Sequence, residues 1–144
     1  MRDRMLSTTA SGRSYALVFE LDDDFLASFQ RFCERENIYA AFFNGIGGYS
    51  RATLAYYDVE KKQYEPIEVD EQVEVVSLIG NITNFEGKPR IHTHCIVSHR
   101  DGHTTAGHLQ SAIVRPTMEI VLQDGNVPLQ RSRRPAIGIP LIDL

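Results

Sequence analysis

The sequence predicts an α+β fold, a curved and largely antiparallel sheet with one main helix near the N-terminus. Two observations carry this. Only Phe25–Cys33 sets apolar residues at helical spacing, and nearly everything after it falls into short runs separated by turn residues, the pattern of strands joined by hairpins. Strands gathered in this way beside a segregated helix make an α+β architecture rather than alternating βαβ units. No repeat, linker or low-complexity segment interrupts the 144 residues. A single domain over 1–144 is therefore expected, with its core at about 13–124, a loose arm at 1–11 and a tail at 125–144.

Arg13–Leu21 (RSYALVFEL) alternates apolar and polar side chains and predicts the first strand. Asp22 is the expected N-cap of the helix, and the two carboxylates after it suit the positive end of the helix dipole. Phe25, Leu26, Phe29, Phe32 and Cys33 then form one core-facing stripe, and the helix ends near Asn37. Tyr39–Phe43 is a short apolar strand running into Asn44-Gly45-Ile46-Gly47-Gly48. A glycine cluster cradles phosphate when a helix N-terminus follows it, but Ser50–Val59 reads as a strand. These glycines are expected instead to permit a bulge or a close backbone approach. Lys61-Lys62-Gln63 turns the chain into Tyr64–Val69, and Val73–Ile82 is a strong strand. After the tight turn Glu86-Gly87-Lys88-Pro89, Arg90–His99 returns, and Arg100-Asp101-Gly102 marks another hairpin. Gly107–Arg115 and Met118–Gln123 complete the sheet.

The hydrophobic fraction of 42% supports a core without staples, and charges of mixed sign sum to −4. A free-standing DNA binder more often carries a basic stripe that releases counterions from phosphates, so the acidic balance counts against tight non-specific nucleic-acid binding. No apolar run approaches the ~20 residues needed to span a bilayer. With no targeting segment in Met1–Ser11, a cytoplasmic protein is expected, with Cys33 and Cys95 as reduced thiols. The tail Arg131–Leu144 (RSRRPAIGIPLIDL) lacks the Gly-Arg-Pro core of an AT-hook. Arg131, Arg133 and Arg134 read as a solvated turn, and the apolar end is expected to lie on its own sheet or on a neighbouring subunit. Val75, Ile79 and several aromatic strand residues exceed what one helix and one sheet face can cover, which points to a closed cyclic homo-oligomer.

The histidines are the sharpest chemical feature. His92 and His94 stand two apart in a strand and so share a face. A third imidazole from an adjacent strand would complete a facial set for zinc or a similar divalent ion, with positions left open for water. His108 is the candidate, and strand parity tests it. A three-residue loop at Arg100–Gly102, with Gly102 in the left-handed region, pairs His99 with His103 and sets His94 opposite His108. A two-residue Asp101-Gly102 turn would set His108 opposite Cys95, on the wrong face, unless a bulge at Gly107 restored the alignment. Without a metal, His92 and His94 are simply hydrogen-bonded strand residues. His99 and His103 read as exposed turn histidines, and Cys95 as packing. Glu119 is either an outer partner of a ligating imidazole or a surface charge.

Several ordered blocks resemble one family. Gly45-Ile46-Gly47, Ser50-Arg51-Ala52-Thr53-Leu54 and Tyr56-Tyr57-Asp58 are similar to the opening signature of the plants-and-prokaryotes conserved (PPC) domain. Glu74–Ile82, Gly87-Lys88-Pro89, His92-Thr93-His94, Gly107-His108-Leu109 and Pro116-Thr117-Met118-Glu119 resemble its later blocks in the same order, over about Tyr15–Gln123. Ala106 departs from the second glycine common there. The resemblance implies an α+β homotrimer with the histidines in clefts near subunit boundaries, and it strengthens a metal, most simply zinc, at His92, His94 and His108. It implies partners among other copies of the chain, DNA or transcription-related proteins, because prokaryotic members are described as candidate DNA binders and plant members act in transcription through separate AT-hooks. More remotely, α-acetolactate decarboxylases share this fold and hold zinc with a His-x-His pair and a third histidine.

Three functions follow: a trimeric metal-binding association module, a small metal-dependent lyase or hydrolase, and a direct DNA binder. Among Glu74, Glu119, Arg90 and Arg115, no spacing selects a general acid or base for the second. The acidic balance disfavours the third. The association module is the preferred reading.

Overall fold

A computed structural model describes residues 1–144. The elements are β1 (Arg2–Thr9), β2 (Gly12–Phe19), α1 (Phe25–Glu36), β3 (Ala40–Asp58), β4 (Gln63–Val69), β5 (Val73–Phe85), β6 (Lys88–Ser98), β7 (Thr104–Gly125), β8 (Gln130–Arg133) and β9 (Pro140–Asp143). All nine strands join one sheet. Every ladder is antiparallel except a single parallel register pair, Asn84 with Gln130, so the expected α+β class with one early helix is observed. β3 pairs with β5 and β7, and β6 pairs with the same two strands, so these four close into a ring. No helix is long and apolar enough to cross a membrane.

The helix forms where its stripe predicts and buries Phe25, Phe29, Phe32 and Cys33 completely. Phe29 meets Phe19 and Phe43 edge-on, with ring centroids 5.9 and 4.9 Å apart, an arrangement favoured by the ring quadrupoles. The helix starts two residues later than expected. Asp24, not Asp22, is the N-cap and accepts from Ala27 N at 3.0 Å. Asp22 sits at φ 66° in the preceding turn, where its amide reaches Val114 O. Asn37 closes the helix in the left-handed conformation, its amide bonding back to Cys33 O and Glu34 O. Replacing Asp24 by alanine is expected to lower stability by about 1 kcal/mol, the usual cost of losing a cap, read from urea unfolding.

Three further expectations need correction. Residues 2–9 are not a loose arm. They form β1, paired with β2 from Arg2↔Val18 to Thr9↔Gly12, but every one of them is exposed, so no buried face left a periodic signal. β3 does not stop at the glycines; Tyr39–Phe43 and Ser50–Val59 belong to one strand, with an irregular register between Gly45 and Gly47. The basic tail is a solvated turn only in part: Arg133 and Arg134 are exposed and Arg134 leads into a turn, but Arg131 lies in β8, which pairs with β9 and docks on β5 at Asn84. Arg131 is half-buried there.

Candidate metal centre

His92 and His94 lie on β6 and alternate with Thr93 and Cys95, which point into the core. The hairpin to β7 is the three-residue loop: His99 N donates to His103 O at 2.9 Å, Gly102 N to His99 O at 2.9 Å, and Gly102 has φ 87°. That loop sets the register, and His94 faces His108 as the last pair of the β6–β7 ladder. Beyond this pair the strands part, β7 continuing beside β3 with His108 opposite Ala55. Close approach there needs Gly107, since a Cβ would lie 2.9 Å from Ala55 O. Parity and a strand fork thus bring the three expected histidines together.

Their rings form a nearly equilateral triangle, with centroids 5.2, 5.3 and 5.4 Å apart. One nitrogen from each falls within 4.8 Å of the others, so the triad can hold a metal ion. His92 Nε2 and His94 Nε2 are 3.3 Å apart. Two imidazoles bound to zinc at ~2.0–2.1 Å in tetrahedral geometry hold their nitrogens about 3.3–3.4 Å apart, so this edge has the right length. His108 Nδ1 is buried and has no hydrogen-bond partner, an uncommon state for a ring nitrogen. The donor set fits a divalent metal with borderline-soft preferences.

Tyr64 of β4 stacks on His108 at 4.8 Å and 28°. Arg131 reaches across from β8, donating to Thr83 Oγ1 at 2.7 Å, Pro140 O at 2.9 Å and Asn81 Oδ1 at 2.9 Å. Its NH2 also lies 3.2 Å from His92 Nδ1. A guanidinium only donates, so His92 Nδ1 accepts and the proton of the neutral ring sits on Nε2. Ligation through Nε2 moves that proton to Nδ1 and leaves this NH2 contact without an acceptor.

Burial, then the Arg131 charge, pushes His92 down to about 4; burial, then His92 itself, pushes His108 down to about 4. Both rings are therefore neutral near pH 7, the state that ligates metal. The shifts also fix a stability profile. Unfolded imidazoles take up protons near their ordinary value of 6.5, whereas the folded ones resist until about 4. The metal-free protein is accordingly expected to be most stable above pH 6.5 and to lose stability as pH falls from 6.5 towards 4. Urea midpoints across that window should show the slope, and a His92→Asn/His108→Gln variant should flatten it.

The other expected site residues behave differently. Glu119 is exposed between Val18 and Ile46 and bonds none of the three histidines. Cys33 and Cys95 are buried and unpaired, and burial raises both thiols. His99 is not an exposed turn residue: its side chain is 9% accessible, Nδ1 meets Glu71 at 2.8 Å and Nε2 meets Thr105 Oγ1 at 2.9 Å. His103 stacks on it at 3.9 Å, remains largely exposed and meets Asp101. Sequence reasoning missed the roles of Arg131 and Tyr64: the turn at Lys61-Lys62-Gln63 announces the β3–β4 hairpin but not the stacking of Tyr64 on His108, and no local pattern announces the docking of β8 that brings Arg131 in.

The Plants and Prokaryotes Conserved (PCC) domain profile matches residues 6–126. None of the curated proteins matches the chain. Among solved structures, the metal-containing protein AF0104 from Archaeoglobus fulgidus is 30% identical, with a TM-score of 0.86 over 93% of this chain and 95% of its own. A candidate DNA-binding protein from Bacteroides thetaiotaomicron is 26% identical, with a TM-score of 0.89 over 98% of this chain and 96% of its own. Acetolactate decarboxylase from Bacillus subtilis subspecies spizizenii shares the fold alone, at 12% identity and a TM-score of 0.57, over 78% of this chain and 56% of its own. With most of its length matched by the profile and the same fold in these solved structures, the chain belongs to the Plants and Prokaryotes Conserved domain family.

Proposed function

We propose that this chain is a homotrimeric association module that holds zinc with His92, His94 and His108. The observation that carries the metal is the convergence of three imidazoles on one face, two of their nitrogens at the spacing of a tetrahedral edge. The metal-containing relative from Archaeoglobus fulgidus supports it. Any contact with DNA is made through partners; the relative described as a candidate DNA binder supports that context, while a net charge of −4 argues against direct phosphate binding. Elemental analysis of untagged protein should find one zinc per chain, and none in a His92→Ala/His94→Ala variant. A metal-free parent after incubation with zinc would leave only the association role.

Support for self-association comes from the sheet face opposite the helix. Phe42, Ile46, Val76, Ile79 and Val121 are all at least half exposed there, and the last four of these line one groove. Clustered exposure on this scale marks interaction surfaces more often than it occurs on monomers. Ile79 pairs directly with His94, so an interface on this face would run beside the metal site. Sedimentation equilibrium is expected to give three copies per particle, and Ile79→Asp to yield monomer. A monomeric parent at micromolar concentration would remove the trimer. The lyase or hydrolase reading has less support, because the cavity beside the triad has no carboxylate in its lining to act as general base.

A further inference from the structure

His92 and His108 line a small cavity of about 60 Å³ whose walls differ in character. Its lining is cationic at Arg90 and Arg131 and apolar at Ile91, Ile139, Pro140 and Leu141. The last three of these apolar residues come from the tail that folds back as β9 and the turn before it.

Charge is unbalanced here. No lining residue is acidic. Asp and Glu take up Arg2, Arg13, Arg35, Arg133 and Arg134, yet Arg90 is exposed, makes no ion pair and has no side-chain hydrogen bond. Arg131 bonds only neutral acceptors, and one of them, His92 Nδ1, is lost when His92 ligates through Nε2. A divalent ion held by three neutral imidazoles would add two further positive charges. Concentrating that much uncompensated charge in a partly desolvated cleft is unfavourable without a counter-anion.

From this juxtaposition of two guanidinium groups, the three-histidine centre and a short apolar wall, we infer that the site binds a small aliphatic carboxylate. The inference rests on the metal reading above. The carboxylate meets the two guanidinium groups, where Arg90 presents an unused planar fork that matches its two oxygens and Arg131 has a donor to spare. Its short alkyl group lies against Ile139, Pro140 and Leu141, which a phosphate or other fully hydrated anion cannot exploit. The volume limits the ligand to a few heavy atoms.

Cobalt(II) in place of zinc makes this visible. The full-length protein loaded with cobalt is titrated with isobutyrate while the visible absorption bands of the ion are followed, and inorganic phosphate is titrated in parallel. A saturable spectral change with isobutyrate is expected, with a much weaker response to phosphate. Arg90→Gln should retain one cobalt per chain and weaken isobutyrate by about tenfold, the scale of one charge-assisted hydrogen bond. Ile139→Ser, which keeps both guanidinium groups, should weaken isobutyrate and leave phosphate unchanged. Cobalt bound with a spectrum indifferent to isobutyrate overturns the carboxylate and leaves the metal standing. An equal midpoint in Arg90→Gln, or phosphate as effective as isobutyrate, also overturns it. Failure to bind cobalt at all overturns the metal reading and the carboxylate with it.

Discussion

His94→Ala is expected to abolish stoichiometric metal binding while leaving the sheet intact. His94 is the exposed member of the triad, and its partners Ile79 and His108 meet it through backbone pairing that alanine preserves. Substitutions at exposed strand positions away from special features usually change stability by no more than about 0.5 kcal/mol. The loss of zinc affinity should exceed about a hundredfold, because even outer partners of ligating histidines cost ~10–100-fold when removed. Isothermal titration of the metal-free variant with zinc, beside urea unfolding of the same sample, separates the two effects. Retained one-to-one binding would exclude His94 as a ligand. An unfolded metal-free variant would instead make the ion part of the fold, as in zinc-dependent mini-domains.

Much of this site could be read in the sequence because strand parity is a strict rule. A separation of two residues places His92 and His94 on one face whatever the tertiary context, and a glycine that takes positive φ at the third loop position fixes where His108 falls. Contacts that depend on distant pairing could not be read. Arg131 reaches His92 because an isolated basic stretch, RSR, pairs with PLID and docks on β5, and neither segment carries a clear periodic pattern. His99 looked exposed because it flanks a turn, yet Glu71, from the connection between β4 and β5, folds over it. The same distinction separates α1, whose aromatic stripe is self-declaring, from β1, whose eight exposed residues declare nothing.

The glycine cluster shows a local signal with two meanings, and the structure chooses between them. No helix follows Gly45-Ile46-Gly47-Gly48, so no phosphate cradle forms, and the glycines instead let β3 lie against β7. At Gly47 the backbone has φ 156°, and a Cβ would stand 2.3 Å from Thr117 O and 2.7 Å from Met118 Cα. At Gly48 a Cβ would stand 2.3 Å from Arg115 O. These neighbours are backbone atoms of the strand that also carries His108, so relief requires β3 and β7 to separate rather than one side chain to rotate.

Gly47→Ala is therefore expected to cost more than about 3 kcal/mol, at the severe end of single substitutions, or to prevent folding. Gly87→Ala isolates the cause. Gly87 has φ 81°, but nothing lies within 4 Å of where its Cβ would point. Only the left-handed conformation is penalised there, at roughly 1–2 kcal/mol. Urea unfolding at one protein concentration, with metal removed, measures both variants. A Gly47→Ala loss far larger than that of Gly87→Ala would assign the glycine cluster to close strand contact. Equal losses would mean that β3 and β7 can yield at this bulge, and the cluster would then be explained by backbone torsion alone.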